Sequence, residues 1–184
     1  MDALPTLETE RLILRPFVPA DAGAIQGILS DSRVTATLIG IPNPFEREDA
    51  DQWIRAGYAG ILRDELLPFA VVCREDKQVM GCIDLEITPE HYRADMAYWL
   101  ASPHWNRGYA SEAARRIVRF GFETRGLNRI YAQCLVENRA SARVMEKAGL
   151  KYEATFRQSI YKDGRFADMA VYGLVRADFA SGLS

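Results

Sequence analysis

A predicted strand, a glycine-containing loop and the first turn of a predicted helix follow one another in residues 98–113 of this 184-residue chain. Gly108 allows a backbone to approach a ligand closely, and Arg107 adds a nearby cation. Helix N-termini leave backbone N–H groups unpaired and carry partial positive charge, which suits a phosphate. The segment therefore predicts a phosphate cradle. The alternative is a tight turn before an ordinary helix, in which Ser111 and Glu112 only favour the helix dipole.

Two common nucleotide-binding motifs are absent from the sequence. It contains no GxxxxGK[ST] segment, and no GxGxxG follows a predicted strand. P-loops and Rossmann dinucleotide sites need those glycines so that the backbone can reach the phosphates. The sequence supports neither class.

The gross composition predicts one cytoplasmic domain spanning residues 1–184. The length suffices for one substantial core, 48% of the residues are hydrophobic, and no apolar run approaches the ~20 residues of a membrane span. The N-terminus has neither the basic start nor the apolar run of a signal peptide. A net charge of −2 argues against bulk nucleic-acid binding. We expect neither a membrane nor a nucleic-acid partner.

The spacing of cysteine and histidine argues against a metal site. Cys73, Cys82 and Cys134 form no CxxC pair and lie in apolar stretches, so they are expected to be buried thiols in a reducing compartment. His91 and His104 have no neighbours at metal-ligand spacing. We expect no metal.

Hydrophobic periodicity and turn residues predict eleven elements that position these residues. The predicted strands are residues 10–17, 69–74, 79–88, 94–100, 129–136, 151–158 and 165–175, and the predicted helices are residues 21–30, 46–64, 109–124 and 139–148. A strand, a helix and a strand in quick succession around residues 94–136 predict a βαβ crossover with local parallel pairing. The predicted fold class is α/β, with a mixed, mostly antiparallel sheet, one parallel βαβ crossover and flanking helices.

The same periodicity assigns faces to individual side chains. Alternation in the strand 79–88 places Val79, Gly81, Ile83, Leu85 and Ile87 on one face and Met80, Cys82, Asp84 and Glu86 on the other. In the helix 109–124, Glu112 and three arginines are expected to face away from the apolar stripe.

The segment from Trp105 to Ala110, with the sequence Trp-Asn-Arg-Gly-Tyr-Ala, resembles the acetyl-CoA loop of the GNAT superfamily of N-acetyltransferases. The superfamily pattern is Gln/Arg-x-x-Gly-x-Gly/Ala, and the branch that resembles ribosomal-protein N-terminal (alanine/serine) acetyltransferases commonly has an aromatic residue first, as here. Other segments match that branch in the same order: residues 8–15, 97–100, 138–150 and 162–165, with Asp168 and Tyr172. The resemblance covers nearly the whole chain. It implies a GNAT-like fold and transfer of an acetyl group from acetyl-CoA to a primary amine.

The resemblance also implies a set of cofactor-binding residues. Backbone amides of residues 106–111 would hold the pyrophosphate, and the backbone of the strand before the loop would bind pantetheine where that strand splays from the strand 129–136. Asn138 and Ser141 would lie beside pantetheine and the thioester, with Lys147 nearer the nucleotide. Asn138 and Ser141 also suit the N-cap and first turn of a helix. The implied set is Trp99, Leu100, Asn106, Arg107, Gly108, Tyr109, Ala110, Ser111, Asn138, Ser141 and Lys147.

Acyl transfer from a thioester needs a polarised carbonyl, a tolerable leaving group and a neutral amine. Backbone N–H groups near Trp99 and Leu100 could stabilise the oxyanion. A thiol of pKa ~8.5 leaves with little protonation, so Ser141 need only donate a hydrogen bond. The candidate bases are Glu86, ranked first, and Asp84, which lie ~6.6 Å apart along one strand face.

Several alternatives stay open at this point. Glu86 and Asp84 could be solvated residues of a half-exposed sheet, and Tyr98, Tyr109 and Tyr131 could be proton donors or core residues. The acceptor could be a protein N-terminus, an antibiotic, a polyamine or an amino acid, with residues 37–64 lining its side. The fold could also bind acyl-CoA as a sensor without catalysis. Dimerisation is common in this family, so a homodimer is one expectation.

Overall fold

The alternating apolar residues build a single sheet of eight strands in a computed structural model that describes residues 4–181. The strands are β1 Leu7–Glu8, β2 Leu12–Pro16, β3 Leu66–Cys73, β4 Val79–Thr88, β5 Arg93–Leu100, β6 Arg129–Leu135, β7 Lys151–Lys162 and β8 Arg165–Val175. The helices are α1 Ala22–Leu29, α2 Ser32–Thr35, α3 Arg47–Arg63, α4 Tyr109–Glu123, α5 Arg139–Lys147 and α6 Arg176–Ser181. Within residues 4–181, no helix combines the length and the apolarity needed to cross a membrane.

The strand order β1-β2-β3-β4-β5-β6-β8-β7 confirms the predicted mixed sheet. Every neighbouring pair is antiparallel except β5 and β6, which are joined by α4 in the expected crossover. The parallel pairing extends only from Arg93 opposite Arg129 to Asp95 opposite Tyr131. Beyond these residues β5 and β6 separate, so a gap opens in the middle of the sheet.

Two apolar layers cover the two faces of the sheet. One contains α4, whose Ile117 and Phe120 pack with Phe69 and Ile83 of the sheet, and the rings of Phe69 and Phe120 lie 5.7 Å apart edge to face. The other contains α1 and α3 packed on buried residues that include Cys82. Burial on both faces fixes the strand register, because a slip of one residue would exchange the side chains of the two apolar layers.

The predicted alternation in β4 is wrong at its beginning. Val71 pairs with Gly81 whereas Val72 pairs with Val79, so one extra residue forms a β-bulge. Met80 therefore joins the same apolar layer as Ile83, while Val79 packs on the opposite layer. From Cys82 onward the predicted faces are consistent with the observed burial.

Several element boundaries differ from the prediction because tertiary contacts extend or create them. The strand β1, the short helix α2 and the helix α6 were not predicted. β3 begins at Leu66 because that residue pairs with Glu86. β7 continues to Lys162 through an irregularity between Phe156 and Ile160, since its partner β8 provides backbone groups along its whole length.

Candidate active site

The N-terminus of α4 has the geometry of an anion cradle. Gly108 is the N-cap, with φ +81° and ψ 0°, and no side chain caps this helix end. The Glu112 N–H donates to the Gly108 carbonyl at 3.0 Å, so the amides of residues 109–111 precede the first bond of the helical ladder. Asn106 also has a positive φ of 58°. Successive N–H groups in such a curled backbone converge on one point, which favours an anion.

Glu112 anchors the cradle to the turn between β1 and β2, and the prediction that it faces away is wrong. It is 9% exposed, and its Oε1 accepts from the Thr9 hydroxyl at 2.6 Å and from the Arg11 N–H at 2.9 Å. The Arg11 guanidinium donates to Oε2 at 2.7 Å. Burial favours the neutral acid, but the bonds from Thr9 and Arg11 outweigh it and lower the pKa of Glu112. The burial of Glu112 could not be predicted, because this residue lies among other charged residues and no sequence pattern distinguishes it from them.

Two arginines stand at the rim of this cradle. The Arg11 guanidinium donates to the Arg107 carbonyl at 3.0 Å and lies 4.5 Å from the centre of the Tyr109 ring. The Arg107 guanidinium lies 5.3 Å from the same ring. Arg107 was predicted to contribute here, whereas Arg11 was not, since ninety-six residues separate it from the loop that it contacts.

The start of α5 meets β5 at a pair of hydroxyl groups. Asn138 caps the helix by accepting from the Ser141 N–H at 3.0 Å. The Ser141 and Tyr98 hydroxyl oxygens lie 2.8 Å apart, and the Tyr98 hydroxyl also donates to the Ser141 carbonyl at 3.0 Å. Burial raises the pKa of Tyr98, so its phenol keeps its proton. Lys147 is exposed in the last turn of α5, at the other end of the helix from Asn138.

Leu100, rather than Trp99, directs its N–H away from β4. A Cβ atom added to Gly81 would lie 2.1 Å from the Trp99 carbonyl oxygen, which therefore points towards β4. The Leu100 N–H shares that planar trans peptide and points the opposite way, towards the gap beside β6. The Leu100 carbonyl accepts from the indole N–H of Trp105 at 2.8 Å. The Trp99 side chain packs 6.3 Å from Trp53 in the core.

A cavity of 380 Å³ adjoins the gap and contains three carboxylates. Asp84 and Glu86 were predicted to share this face; Asp95 was not predicted as a site residue, although it lies directly opposite Glu86 in the antiparallel register. The remaining wall residues are Ile39, Met96, Ala97, Gln133, Phe156, Ser159, Ile160 and Met169. The register of the β4–β5 hairpin was the signal that could have identified Asp95.

The carboxylates of the cavity differ in their affinity for protons. Burial raises the pKa of Asp84 to about 7, and the negative charges of Asp95 and Glu86 add to the rise, against a hydrogen bond from the Ala97 backbone. Burial also raises the pKa of Asp95, against a hydrogen bond from Gln133, whose amide lies 3.3 Å away. Glu86 is exposed. Asp84 thus has a pKa close to neutral pH.

No group of three or more His, Cys, Asp or Glu side chains within residues 4–181 has the arrangement of a metal site. The three cysteines are free, with Cys82 and Cys134 buried and Cys73 half-buried. Burial raises the pKa of the Cys82 thiol, and the adjacent Asp84 reinforces this. Burial also raises the pKa of the Cys134 thiol, so Cys82 and Cys134 are poor nucleophiles at neutral pH.

Comparisons with known proteins agree on one family. A family model described as "Acetyltransferase (GNAT) domain" matches residues 11–151. The N-acetyltransferase YoaA of Bacillus subtilis is 34% identical over 173 residues, which cover 94% of this chain and 97% of that protein. A GNAT-family acetyltransferase structure from Bacillus anthracis has a TM-score of 0.83 at 28% identity, covering 94% of this chain and 99% of that one. RimL, a ribosomal L7/L12 α-N-protein acetyltransferase solved in complex with coenzyme A, shares the fold with a TM-score of 0.86 at 17% identity, covering 93% and 98%.

Proposed function

The chain belongs to the GNAT acetyltransferase family, and from this premise we propose that it acetylates a primary amine held in the cavity of Asp84, Glu86 and Asp95. One observation carries the proposal. The open amides of α4, the gap between β5 and β6, and the acidic cavity occur in this order across one sheet. An elongated donor can therefore have its phosphates at one end and its reacting group beside the amine at the other.

The residues present fit coenzyme A. The left-handed Gly108 exposes the amides of residues 109–111 to a pyrophosphate, and Arg11 and Arg107 supply positive charge beside it. The unpaired edges of β5 and β6 offer backbone groups to the amide groups of pantetheine. Asn138 and Ser141 line the helix start that faces this gap, and Lys147 is proposed to contact the nucleotide from the exposed end of α5.

Acetyl-CoA supplies an activated acetyl group as a thioester, and three protein groups can act on the reaction. The Leu100 N–H can donate to the carbonyl oxygen as negative charge develops on it, which is a large contribution in acyl transfer. Ser141 can donate a hydrogen bond to the departing sulfur, and its contact with Tyr98 orients its hydroxyl. Asp84 can accept the proton that the amine loses.

Asp84 is favoured over Glu86 as the base, which reverses the ranking made from the sequence. A general base is most effective when its pKa is near the working pH, and burial raises the pKa of Asp84 to about 7. An α-amine needs ~1.4 kcal/mol to become neutral at pH 7, whereas an alkylamine of pKa ~10.4 needs nearer ~4.6 kcal/mol. A base of this strength also favours catalysis over a purely sensory role.

The first experiment measures thiol release from acetyl-CoA with a panel of amines, together with calorimetry of coenzyme A binding. We expect thiol release that depends on the amine, and at least tenfold weaker coenzyme A binding by Gly108→Ala, because a side chain at φ +81° distorts the cradle. Gly164→Ala is the matched control, since Gly164 has φ +80° in the β7–β8 turn, away from α4.

Two results would contradict the proposal. One is that the Gly108 and Gly164 variants bind coenzyme A equally well. The other is that coenzyme A binds but no amine accelerates thiol release, which would favour the sensor.

A further inference from the structure

We propose that the acceptor is an aliphatic diamine or a diamine segment of a polyamine, whose second ammonium lies between Glu86 and Asp95 while its first amine faces Asp84. This inference rests on the proposed acetyl transfer and adds the substrate class. The feature that carries it is the juxtaposition, beside the candidate base, of two carboxylates that form no ion pair within the described residues.

The first argument is that the cavity holds like charges without protein counterions. Glu86 and Asp95 are directly opposite each other on neighbouring antiparallel strands, an arrangement that destabilises a sheet. None of the described residues that line the cavity is Lys or Arg. The polar neighbour of Asp95 is the neutral amide of Gln133. A cationic ligand is therefore the group that would offset this repulsion.

The second argument is that one ammonium does not account for all three carboxylates. The reacting amine must give up its proton before it attacks, and Asp84 is placed to take that proton. Glu86 and Asp95 then remain as an anionic pair with no role in the proton transfer. A second ammonium that keeps its charge throughout the reaction matches this pair.

The third argument is the distance between the two positions. Asp84 and Glu86 are two residues apart on β4, and two residues of a strand span ~6.6 Å. An extended four-carbon chain separates two amino groups by about the same length. Longer polyamines contain the same four-carbon unit, so they present the same pair of charges.

The fourth argument is the character of the remaining wall. The wall around the carboxylates has apolar surface that the methylene groups of a ligand can contact. This surface comes from Ile39, Met96, Phe156, Ile160 and Met169. A bulge in β7 presents this wall, with Gln158 at φ +50° and its N–H donating to the Asp168 carboxylate at 2.8 Å. A peptide N-terminus would bring backbone amides into the cavity, where Gln133 and Ser159 are the polar wall side chains apart from the carboxylates.

The test compares putrescine with n-pentylamine, in which a methyl group replaces the second ammonium. Thiol release from acetyl-CoA is measured with each amine and with a short peptide that has a free α-amine. We expect kcat/KM for putrescine to exceed that for n-pentylamine and for the peptide by at least tenfold. In Glu86→Gln and Asp95→Asn, the putrescine-to-pentylamine ratio should fall by about tenfold.

Glu90→Gln is the matched control, because Glu90 is exposed in the turn after β4 and does not line the cavity. Its putrescine-to-pentylamine ratio should equal that of the wild type. Comparable kcat/KM values for putrescine and n-pentylamine, or a preference for the peptide, would overturn the diamine and leave the acetyltransferase standing. Equal ratios in all three variants and the wild type would also overturn it. If no amine increased thiol release from acetyl-CoA, both proposals would be overturned.

Discussion

Asp84 combines partial burial with proximity to two other carboxylates, and both disfavour its ionised form. The raised pKa of about 7 means that the native state binds a proton at Asp84 more tightly than the unfolded chain, whose aspartates titrate near ~3.9. Its contribution to stability is therefore present below the unfolded pKa and is lost as pH rises through about 7. The proposed base thus lowers stability at alkaline pH.

Replacement of Asp84 by Asn tests both consequences of this raised pKa. We expect acetyl transfer to fall by about 10²-fold or more, with loss of the rise in kcat around pH 7. At pH 8 the variant should gain about 1–2 kcal/mol in the free energy of unfolding, less than a shift of this size implies in full because solvent screens a half-buried group. At pH 4 the gain should disappear. Urea unfolding at the two pH values and a pH–rate profile provide the measurements.

Coenzyme A binding should be unchanged in the Asp84→Asn variant, since Asp84 lies in the acceptor cavity. Asp163→Asn, in the exposed β7–β8 turn, is the control for loss of one aspartate charge. A pH–rate profile that keeps its rise around pH 7 in Asp84→Asn would assign the base elsewhere, with Glu86 as the next candidate.

At the scale of elements, α4 is held in place by a polar contact at its N-terminus and by apolar packing along its length. Thr9 and Arg11 connect the turn between β1 and β2 to the first turn of α4 through Glu112. The same guanidinium reaches the loop carbonyl of Arg107. This contact positions the open amides of α4 relative to the sheet. The stability of α4 and the geometry of the proposed cofactor site therefore depend on the same contact.

Replacement of Glu112 by Gln removes the charge that holds these donors while keeping the side-chain shape. We expect a loss of about 1–3 kcal/mol in the free energy of unfolding at pH 7, because the Arg11 guanidinium loses its partner. Because the folded pKa of Glu112 is lowered, the difference from the wild type should shrink as pH falls through that pKa. Denaturant titrations at several pH values measure it.

Glu123→Gln is the matched control for this element. Glu123 forms an exposed pair with Arg119 one turn away on the same helix, with distance 3.0 Å. Such a pair contributes about 0.3–0.5 kcal/mol. Equal losses in the two variants would show that the buried contact has no special weight.

At the scale of the whole molecule, the separation of β5 and β6 is the feature through which both halves of the sheet are proposed to contact one ligand. Residues on both sides of the gap, together with α4 and α5, are proposed to contact coenzyme A. A ligand that binds the native state alone stabilises it by ~2.7 kcal/mol at a concentration one hundred times its dissociation constant. The gap thus predicts a global stabilisation by the cofactor.

Thermal unfolding should report this coupling directly. For a domain of this size, about 2.7 kcal/mol corresponds to an increase in Tm of roughly 5–10 °C. We expect this increase for the wild type and Gly164→Ala with coenzyme A, and a markedly smaller one for Gly108→Ala at the same concentration. Equal increases in the three proteins would contradict pyrophosphate binding at α4. Differential scanning calorimetry with and without coenzyme A makes the comparison.

The expected homodimer and the cytoplasmic location stay predictions. The edge strand β7 exposes Tyr152, Phe156 and Tyr161, and Phe166 of β8 is exposed beside it. Exposed aromatic residues in this number often mark an interaction surface. Sedimentation of the purified protein determines the oligomeric state.

The sequence by itself determined most of the elements and the family, and it predicted the cofactor loop. The period-two pattern identified β4 and the period-3.6 pattern identified α4, because apolar residues recur in these elements at strand and helix spacing. Gly108 could be identified because positive φ requires a residue type that is visible in the sequence. Asn138 and Ser141 could be identified because their local spacing serves the cap that the structure contains.

Only the tertiary structure decided which charges meet. Glu112 meets Arg11 and Asp95 faces Glu86 through contacts between separate elements, and no local pattern encodes such pairs. The bulge in β4, where Val79 and Gly81 pair with consecutive residues of β3, is likewise set by the pairing of two separate strands. The raised pKa of Asp84 depends on burial and on two neighbouring carboxylates, so it exists only after folding. The sequence specifies the chemistry of each side chain, whereas proximity and desolvation are properties of the folded sheet.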